Sequence, residues 1–131
     1  MNAAQHSVFP ARKCGHSRRW TLRCGTFLAR ALEEIRPFWL EDVLRVDNIQ
    51  TLADFRRQSG LPIAASEMLL GRTSYLQILQ ASAADYVMID PTWAGGISET
   101  RRIIELAQAF NVPATMHDCT GPMTLLSGLP C

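Results

Sequence analysis

The sequence has few of the features that mark membrane, secreted or nucleic-acid-binding proteins. No apolar run approaches the roughly 20 residues that a transmembrane helix needs, and residues 1–10 lack the basic start and continuous apolar stretch of a secretory signal. The 13 basic residues nearly balance the 12 acidic ones, so no broad charge attracts nucleic acid or a membrane surface. These absences favour a cytoplasmic protein that acts on a small molecule.

Cysteine is also too sparse and scattered for a zinc site built from close pairs of ligands. The cysteines are Cys14, Cys24, Cys119 and Cys131. Nothing indicates an oxidising compartment, so reduced structural thiols are expected. Cys119 lies two positions after His117 and would be a nucleophile if His117 were its base. Neighbouring positions on a loop rarely direct both side chains at each other, which disfavours that role.

The length and pattern divide the chain into two parts. A chain of 131 residues suits one domain, whereas a closed eight-unit α/β barrel typically needs about 250 residues. Residues 1–19 lack helical or strand periodicity and are predicted to be irregular; a frame error or wrong start upstream would explain them. Over residues 20–131, helical and strand patterns alternate, which predicts an α/β fold with a parallel sheet.

The periodicity locates the individual elements. A helical pattern from Trp20 is expected to end at Pro37. The predicted strands are, in order, 38–40, 62–65, 86–89 and 112–116. The predicted helix caps are Asp47, Thr73 or Ser74, and Ser98. Gly60 is expected to end the second helix. Phe110 is expected to face the sheet from the fourth helix, and Gly121-Pro122 is expected to lead into a last helix.

Four short segments each end an apolar run with a residue that can bind a metal or move a proton. These residues are Glu41, Glu67, Asp90 and His117, separated by steps of 26, 23 and 27 positions. Each step is about one strand-helix unit. Because the carboxyl ends of parallel strands meet on one face of a barrel, the four side chains are expected to share one site. Asp42 is an alternative to Glu41, and Asp118 is an alternative partner for His117.

The chemistry of these residue types can be stated from first principles. Removing a proton α to a carboxylate produces a dianion, which a hard cation held by carboxylate oxygens can neutralise. A histidine is suited to take the proton because its ordinary pKa is about 6.5. A neighbouring carboxylate such as Asp90 would fix the tautomer of His117.

The order and spacing of four sequence runs resemble the barrel domain of the enolase superfamily, in its mandelate racemase-like branch. The runs are FWLED, LPIAASE, DYVMIDPTWAGGISE and HDCTGP, and the resemblance covers roughly residues 20–130. It implies a partial TIM (β/α) barrel of about four parallel strands, from the middle to late part of the family's barrel. It also implies that Glu41 and Glu67 bind Mg²⁺, and that Asp90 and His117 form a catalytic dyad with His117 as general base.

The sequence departs from the family pattern in several places. Alignment on Trp20 puts Gly15 where the family has its first metal-binding aspartate. The family also uses one or two lysines at the end of the second strand, whereas Lys13 is the only lysine in this sequence. The eighth strand and the capping domain that largely sets specificity are not represented. The sequence is therefore interpreted as a fragment that carries about half of the machinery.

The resemblance implies magnesium-dependent proton abstraction from a small hydroxy acid or acid sugar. Dehydration is the preferred outcome because it needs only one general base; racemisation or epimerisation and cycloisomerisation are the alternatives. A hypothesis of another class is an inactive fragment that at most binds metal weakly or self-associates through open sheet edges. The full-length parent is expected to be a homo-oligomer.

Overall fold

The computed structural model describes residues 20–119 and 121–128. Helices and strands alternate along this part of the chain, as the sequence predicts. In order they are α1 Leu22–Leu32, β1 Leu40–Glu41, α2 Ile49–Ser59, β2 Ile63–Ala65, α3 Gly71–Gln80, β3 Tyr86–Ile89, α4 Pro91–Ala94, α5 Ile97–Ala109, β4 Ala114–Met116 and α6 Pro122–Gly128. The predictions for residues 1–19, including those for Lys13 and Gly15, lie outside the described residues.

The four strands form one parallel sheet in the order β1-β2-β3-β4. Each strand therefore pairs with the next strand along the chain, which is the connectivity of a (β/α) barrel. The predicted fold class, a partial barrel of four parallel strands with intervening helices, is confirmed. Because all strands run the same way, their carboxyl ends lie along one edge of the sheet.

The core lies between the sheet and the helices. Alternate strand residues join it, among them Ile63, Val87 and Ile89, each no more than 1% exposed. From the helices, Phe55 and Tyr75 are the largest fully buried side chains. The apolar side chains that the sequence places at helical spacing thus supply the contact that holds each crossover helix on the sheet.

Helices α1 and α2 approach each other closely at Gly25. A Cβ atom at this position would lie 3.1 Å from side-chain atoms of Val43 and Leu44 and 3.2 Å from Cε2 of Phe55. Gly25 is a weak helix former, but its lack of a side chain leaves the space that Phe55 fills. The packing between the two helices therefore offsets a poor local propensity.

The first helix and the first strand differ from their predicted limits. Helix α1 ends at Leu32 rather than at Pro37, and Ile35 beyond it is 73% exposed. Arg36 has a positive φ of 49°, which a helix cannot contain. Strand β1 begins at Leu40, and Phe38, which was predicted to lie in it, is 72% exposed. The short apolar run thus leads into the strand instead of forming it.

The predicted cap of α2 is wrong by one residue. The side chain of Asn48 accepts the cap hydrogen bond from the Thr51 amide at 3.0 Å. Asp47 is instead ion-paired with Arg45. A cap must directly precede the first helical residue, so the start of α2 at Ile49 selects Asn48. At the other end, the predicted Gly60 stop is confirmed by its φ of 68°.

The predicted caps of α3 and α5 are also wrong, because both helices begin earlier than the capping residues. Ser74 and the threonine before it lie inside α3, where the Ser74 hydroxyl donates to the Leu70 carbonyl at 2.8 Å. Ser98 lies inside α5, whose cap position is Gly96. Phe110 follows the end of α5 and is 39% exposed, so it does not face the sheet as predicted.

In the described part of the chain, no helix combines the length and apolar character needed to cross a membrane.

Candidate active site

The pairing of β3 with β4 brings Asp90 and His117 together. Ile89 and Met116 are register partners, so the next residue of each strand leaves the sheet at neighbouring positions. The main-chain amide of His117 donates to the Ile89 carbonyl at 2.9 Å, which extends the pairing by one residue. The imidazole Nδ1 of His117 then lies 3.1 Å from Oδ2 of Asp90. This hydrogen bond joins two side chains 27 residues apart.

Asp90 is fully buried and serves two purposes at once. Its Oδ1 accepts from the Thr92 amide at 2.8 Å and from the Thr92 hydroxyl at 2.5 Å, which caps α4. Its Oδ2 faces His117. Burial raises the pKa of Asp90, but the hydrogen bonds from Thr92 and His117 outweigh it and lower that pKa below its usual value. Asp90 is therefore an ionised carboxylate held in a fixed orientation.

The structure distinguishes between Asp90 and Asp118 as the hydrogen-bond partner of His117. Asp118 accepts from the Gly121 amide at 3.2 Å through its Oδ1, whereas the carboxylate of Asp90 contacts the ring. The His117 side chain is 19% exposed. On one side lies the Trp93 ring, whose centroid is 6.0 Å from that of the imidazole. The imidazole is thus largely covered but remains reachable from solvent.

Three carboxylates lie at the ends of β1 and β2. Glu41 is exposed, and its Oε2 accepts from the indole nitrogen of Trp39 at 3.3 Å. Asp42 has a φ of 45°, and its Oδ2 accepts from the buried Ser66 hydroxyl at 2.8 Å. Among the described residues, Oδ1 of Asp42 and Oε2 of Glu67 are buried without a hydrogen-bond partner. Two oxygens of the site are therefore available to a cation.

Asp42, which the sequence analysis kept only as an alternative to Glu41, has a left-handed backbone that changes where its side chain points. Successive side chains of a regular strand point to opposite faces, which would separate Asp42 from Glu41. A φ of 45° interrupts that alternation. The pKa of Asp42 is raised to about 7, first by burial and then by the negative charges of Glu67 and Glu41, against the hydrogen bond from Ser66. All three carboxylates are consequently close enough to interact electrostatically.

Asp42 should make the metal-free chain less stable as pH rises. Its folded-state pKa of about 7 exceeds the ordinary value of 3.8, so the folded state binds the proton more tightly. This contribution to stability is complete below the ordinary pKa and is lost as pH rises through about 7. Asp42→Asn should remove that loss and stabilise the metal-free chain by about 1–2 kcal/mol near pH 8, a value reduced for solvent screening.

The measurement is urea unfolding in the presence of a chelator across the pH range from acid to mildly alkaline. Asp54→Asn is the matched control, because Asp54 is an ion-paired residue of α2 and does not belong to the cluster of Glu41, Asp42 and Glu67. An Asp42→Asn variant with the same pH dependence as the unchanged chain would show that Asp42 is ionised throughout.

The carboxylate donors suit a hard cation such as Mg²⁺, which prefers oxygen ligands. The two buried oxygens that lack a hydrogen-bond partner in the described part of the chain support this fit. Within the described ranges, however, Glu41 and Glu67 do not form a compact group of three ligand residues with any other acid. The group that does consists of Asp90, His117 and Cys119, whose ligand atoms all lie within 4.8 Å of one another. The sequence disfavoured a contact between Cys119 and His117, because neighbouring positions on a loop rarely direct both side chains at each other.

Comparison with known sequences places this site in a family. A sequence model described as enolase C-terminal domain-like matches residues 15–130. A D-galactonate dehydratase of Ralstonia nicotianae is 33% identical over 102 residues, which cover 78% of this chain and 27% of that enzyme. The family match over residues 15–130 includes all the strand ends described above.

Solved structures show the same fold. An enolase protein from the environmental genome of the Sargasso Sea is 40% identical and superposes with a TM-score of 0.80, covering 84% of this chain and 30% of that one. An enolase from Agrobacterium radiobacter, solved with sodium and L-malate, gives a TM-score of 0.80 at 32% identity and covers 86% and 28% of the two chains. The chain thus spans about 30% or less of each of these relatives. With the family match over residues 15–130 and the shared barrel topology, the chain belongs to the enolase superfamily, in its mandelate racemase-like branch.

Proposed function

We propose that this chain carries the proton-transfer dyad and part of the magnesium site of an acid-sugar dehydratase. The observation that supports it most is the hydrogen bond between His117 and the buried Asp90 at the ends of adjacent strands. Relatives in Ralstonia nicotianae and Thermoproteus tenax are a D-galactonate and a D-gluconate dehydratase. The Agrobacterium radiobacter structure holds L-malate, which is also a hydroxy acid.

In this proposal His117 removes the proton α to the substrate carboxylate. Asp90 accepts from Nδ1 of His117 and so leaves Nε2 with the lone pair that takes the proton. The negative charge of Asp90 then stabilises the imidazolium. The same imidazolium can return its proton to the hydroxyl on the next carbon, which leaves as water. One residue thereby serves both halves of a dehydration, and no second base on the opposite face is needed.

Glu41 and Glu67 would hold the Mg²⁺ ion, with Asp42 beside them. The bound cation would supply charge neutralisation for the dianion that forms when the α proton leaves. Glu67 offers a buried oxygen without a partner among the described residues. Glu41 would exchange its contact with the Trp39 indole for the cation. The pKa of Asp42, raised partly by these two neighbours, is consistent with a place where negative charge is concentrated.

Magnesium titration of the 131-residue chain tests this site directly. Glu67→Gln is expected to weaken Mg²⁺ binding by at least about tenfold, because it replaces a carboxylate that has a buried oxygen without a partner among the described residues. Glu41→Gln is expected to act in the same direction. Glu105→Gln is the matched control, since Glu105 is an exposed residue of α5. Calorimetry measures affinity without requiring turnover.

The results separate the proposal from its alternatives. If Mg²⁺ does not bind, or if Glu105→Gln weakens binding as much as Glu67→Gln does, the magnesium site is not at the strand ends. If Mg²⁺ binds as expected but no acid sugar reacts, the chain is a metal-binding barrel fragment without the proposed activity.

A further inference from the structure

The side chains of Asp90, His117 and Cys119 form a compact group with mixed donor atoms. A carboxylate oxygen, an imidazole nitrogen and a thiol sulfur lie within 4.8 Å of one another. This differs in kind from the carboxylates at the ends of β1 and β2, which offer oxygen alone. Imidazole and thiolate suit Zn²⁺ and similar ions, whereas Mg²⁺ prefers oxygen. The two sets of residues therefore have different metal preferences.

The distances are close to those of a zinc site. Zinc holds nitrogen and oxygen at about 2.0–2.2 Å and sulfur at about 2.3 Å, so donors around a tetrahedral ion lie roughly 3.3–3.8 Å apart. Two of the three donor residues already meet through Asp90 Oδ2 and His117 Nδ1 at 3.1 Å. Because all the donor atoms lie within 4.8 Å of one another, the sulfur needs to approach the other two by at most about 1–1.5 Å.

The three side chains differ in solvent exposure, from a buried carboxylate to an exposed thiol. Asp90 is fully buried and is held by Thr92, the imidazole of His117 is 19% exposed, and Cys119 is an exposed free cysteine. The buried carboxylate gives a fixed ligand, and the exposed thiol faces the solvent from which an ion arrives. Three protein ligands would leave the fourth tetrahedral position for water.

We propose that Asp90, His117 and Cys119 bind a divalent ion of the zinc type. The thiol proton is released to solvent as the sulfur coordinates, and the Nδ1 proton of His117 moves to Nε2 by tautomer exchange through solvent, which frees the Nδ1 lone pair for the ion. Such an ion engages the imidazole that the proposed dehydration uses as its base. Zinc therefore blocks proton transfer at His117, while magnesium at the carboxylates leaves the imidazole free. The zinc site itself follows from the geometry of three side chains and does not depend on the proposed reaction.

Cobalt substitution tests this proposal on the whole 131-residue chain. Co²⁺ replaces Zn²⁺ in such sites and shows a thiolate-to-metal charge-transfer band when sulfur is bound. The unchanged chain should bind one equivalent of Co²⁺ with this band, and added Zn²⁺ should abolish it while added Mg²⁺ should not. Cys119→Ser should lose the band and bind Zn²⁺ at least about tenfold more weakly.

The other three cysteines provide matched controls in single Cys→Ser variants at positions 14, 24 and 131. Each should keep the band, and circular dichroism should show that all four variants are folded. Absence of the band in the unchanged chain, or its survival in Cys119→Ser, would overturn the zinc site. Loss of the band in a control variant would assign the sulfur ligand to another cysteine and also overturn it. Because these are binding measurements, they fail independently of the magnesium titration and of any turnover assay.

Discussion

His117→Asn is expected to slow exchange of the α proton of an acid sugar by about 10² to 10⁴-fold, which is the usual contribution of a positioned acid-base group. Asparagine keeps a polar group of similar size that can still donate to Asp90, but it cannot accept a proton near neutral pH. The assay is incorporation of solvent deuterium at the carbon next to the carboxylate, followed by NMR with Mg²⁺ present. This readout needs only the first step of the proposed reaction.

The chain supplies its own controls for this experiment. His6→Asn and His16→Asn change the other two histidines and are expected to leave the exchange rate unaltered. Equal exchange in His117→Asn and the unchanged chain would rule out His117 as the base. If the unchanged chain shows no exchange above the solvent rate with any acid sugar, the proposed activity does not belong to these 131 residues, whatever their metal affinity.

Phe55→Ala is expected to lower the free energy of unfolding by about 3–5 kcal/mol, the range measured when a large aromatic side chain is removed from a core. Phe55 is fully buried and fills the space next to Gly25 where α1 approaches α2. Because domains of this size are stable by only about 5–15 kcal/mol, the loss should bring the chain close to unfolding at room temperature. Urea unfolding followed by circular dichroism gives the measurement.

Phe27→Ala is the matched comparison, since Phe27 lies on α1 and is 51% exposed. It is expected to cost about 0.5 kcal/mol or less. Similar losses in the two variants would show that α1 does not pack on α2 through Phe55. A loss confined to Phe55→Ala would support the close helix contact that Gly25 permits.

The fold was predictable to the level of element type and order because periodicity and breakers act locally. Apolar spacing located the helices, and the strand predicted over 86–89 coincides with β3. Helix starts were not predictable to the residue, since several polar residues near each start can cap equally well in isolation. Packing chose Asn48 over Asp47 by fixing where α2 begins. The exposure of Phe110 likewise depends on where α5 ends relative to β4.

The candidate site was predictable in its members and less so in its geometry. Spacing and family resemblance singled out Asp90 and His117, and the register of β3 with β4 brings them into contact. The positions of the Asp42 and Cys119 side chains were harder to predict, because both residues lie just beyond a strand, where the local backbone angles decide which neighbours a side chain meets. The φ of 45° at Asp42 depends on how the chain packs after β1, and no local sequence pattern predicts it.

By itself, the sequence determined the class of this protein: an α/β chain of the enolase superfamily, with acids and a histidine at successive strand ends. These properties follow from residue types at fixed spacings, because hydrophobic periodicity and turn residues act locally along the chain. Only the tertiary structure decided which side chains touch. It joined His117 to Asp90 rather than to Asp118 and brought Cys119 near the imidazole. Among the residues that the structure describes, it also left one oxygen each of Asp42 and Glu67 without a hydrogen-bond partner. Such contacts depend on strand register and on backbone angles after each strand, and neither is fixed by the few residues around a motif.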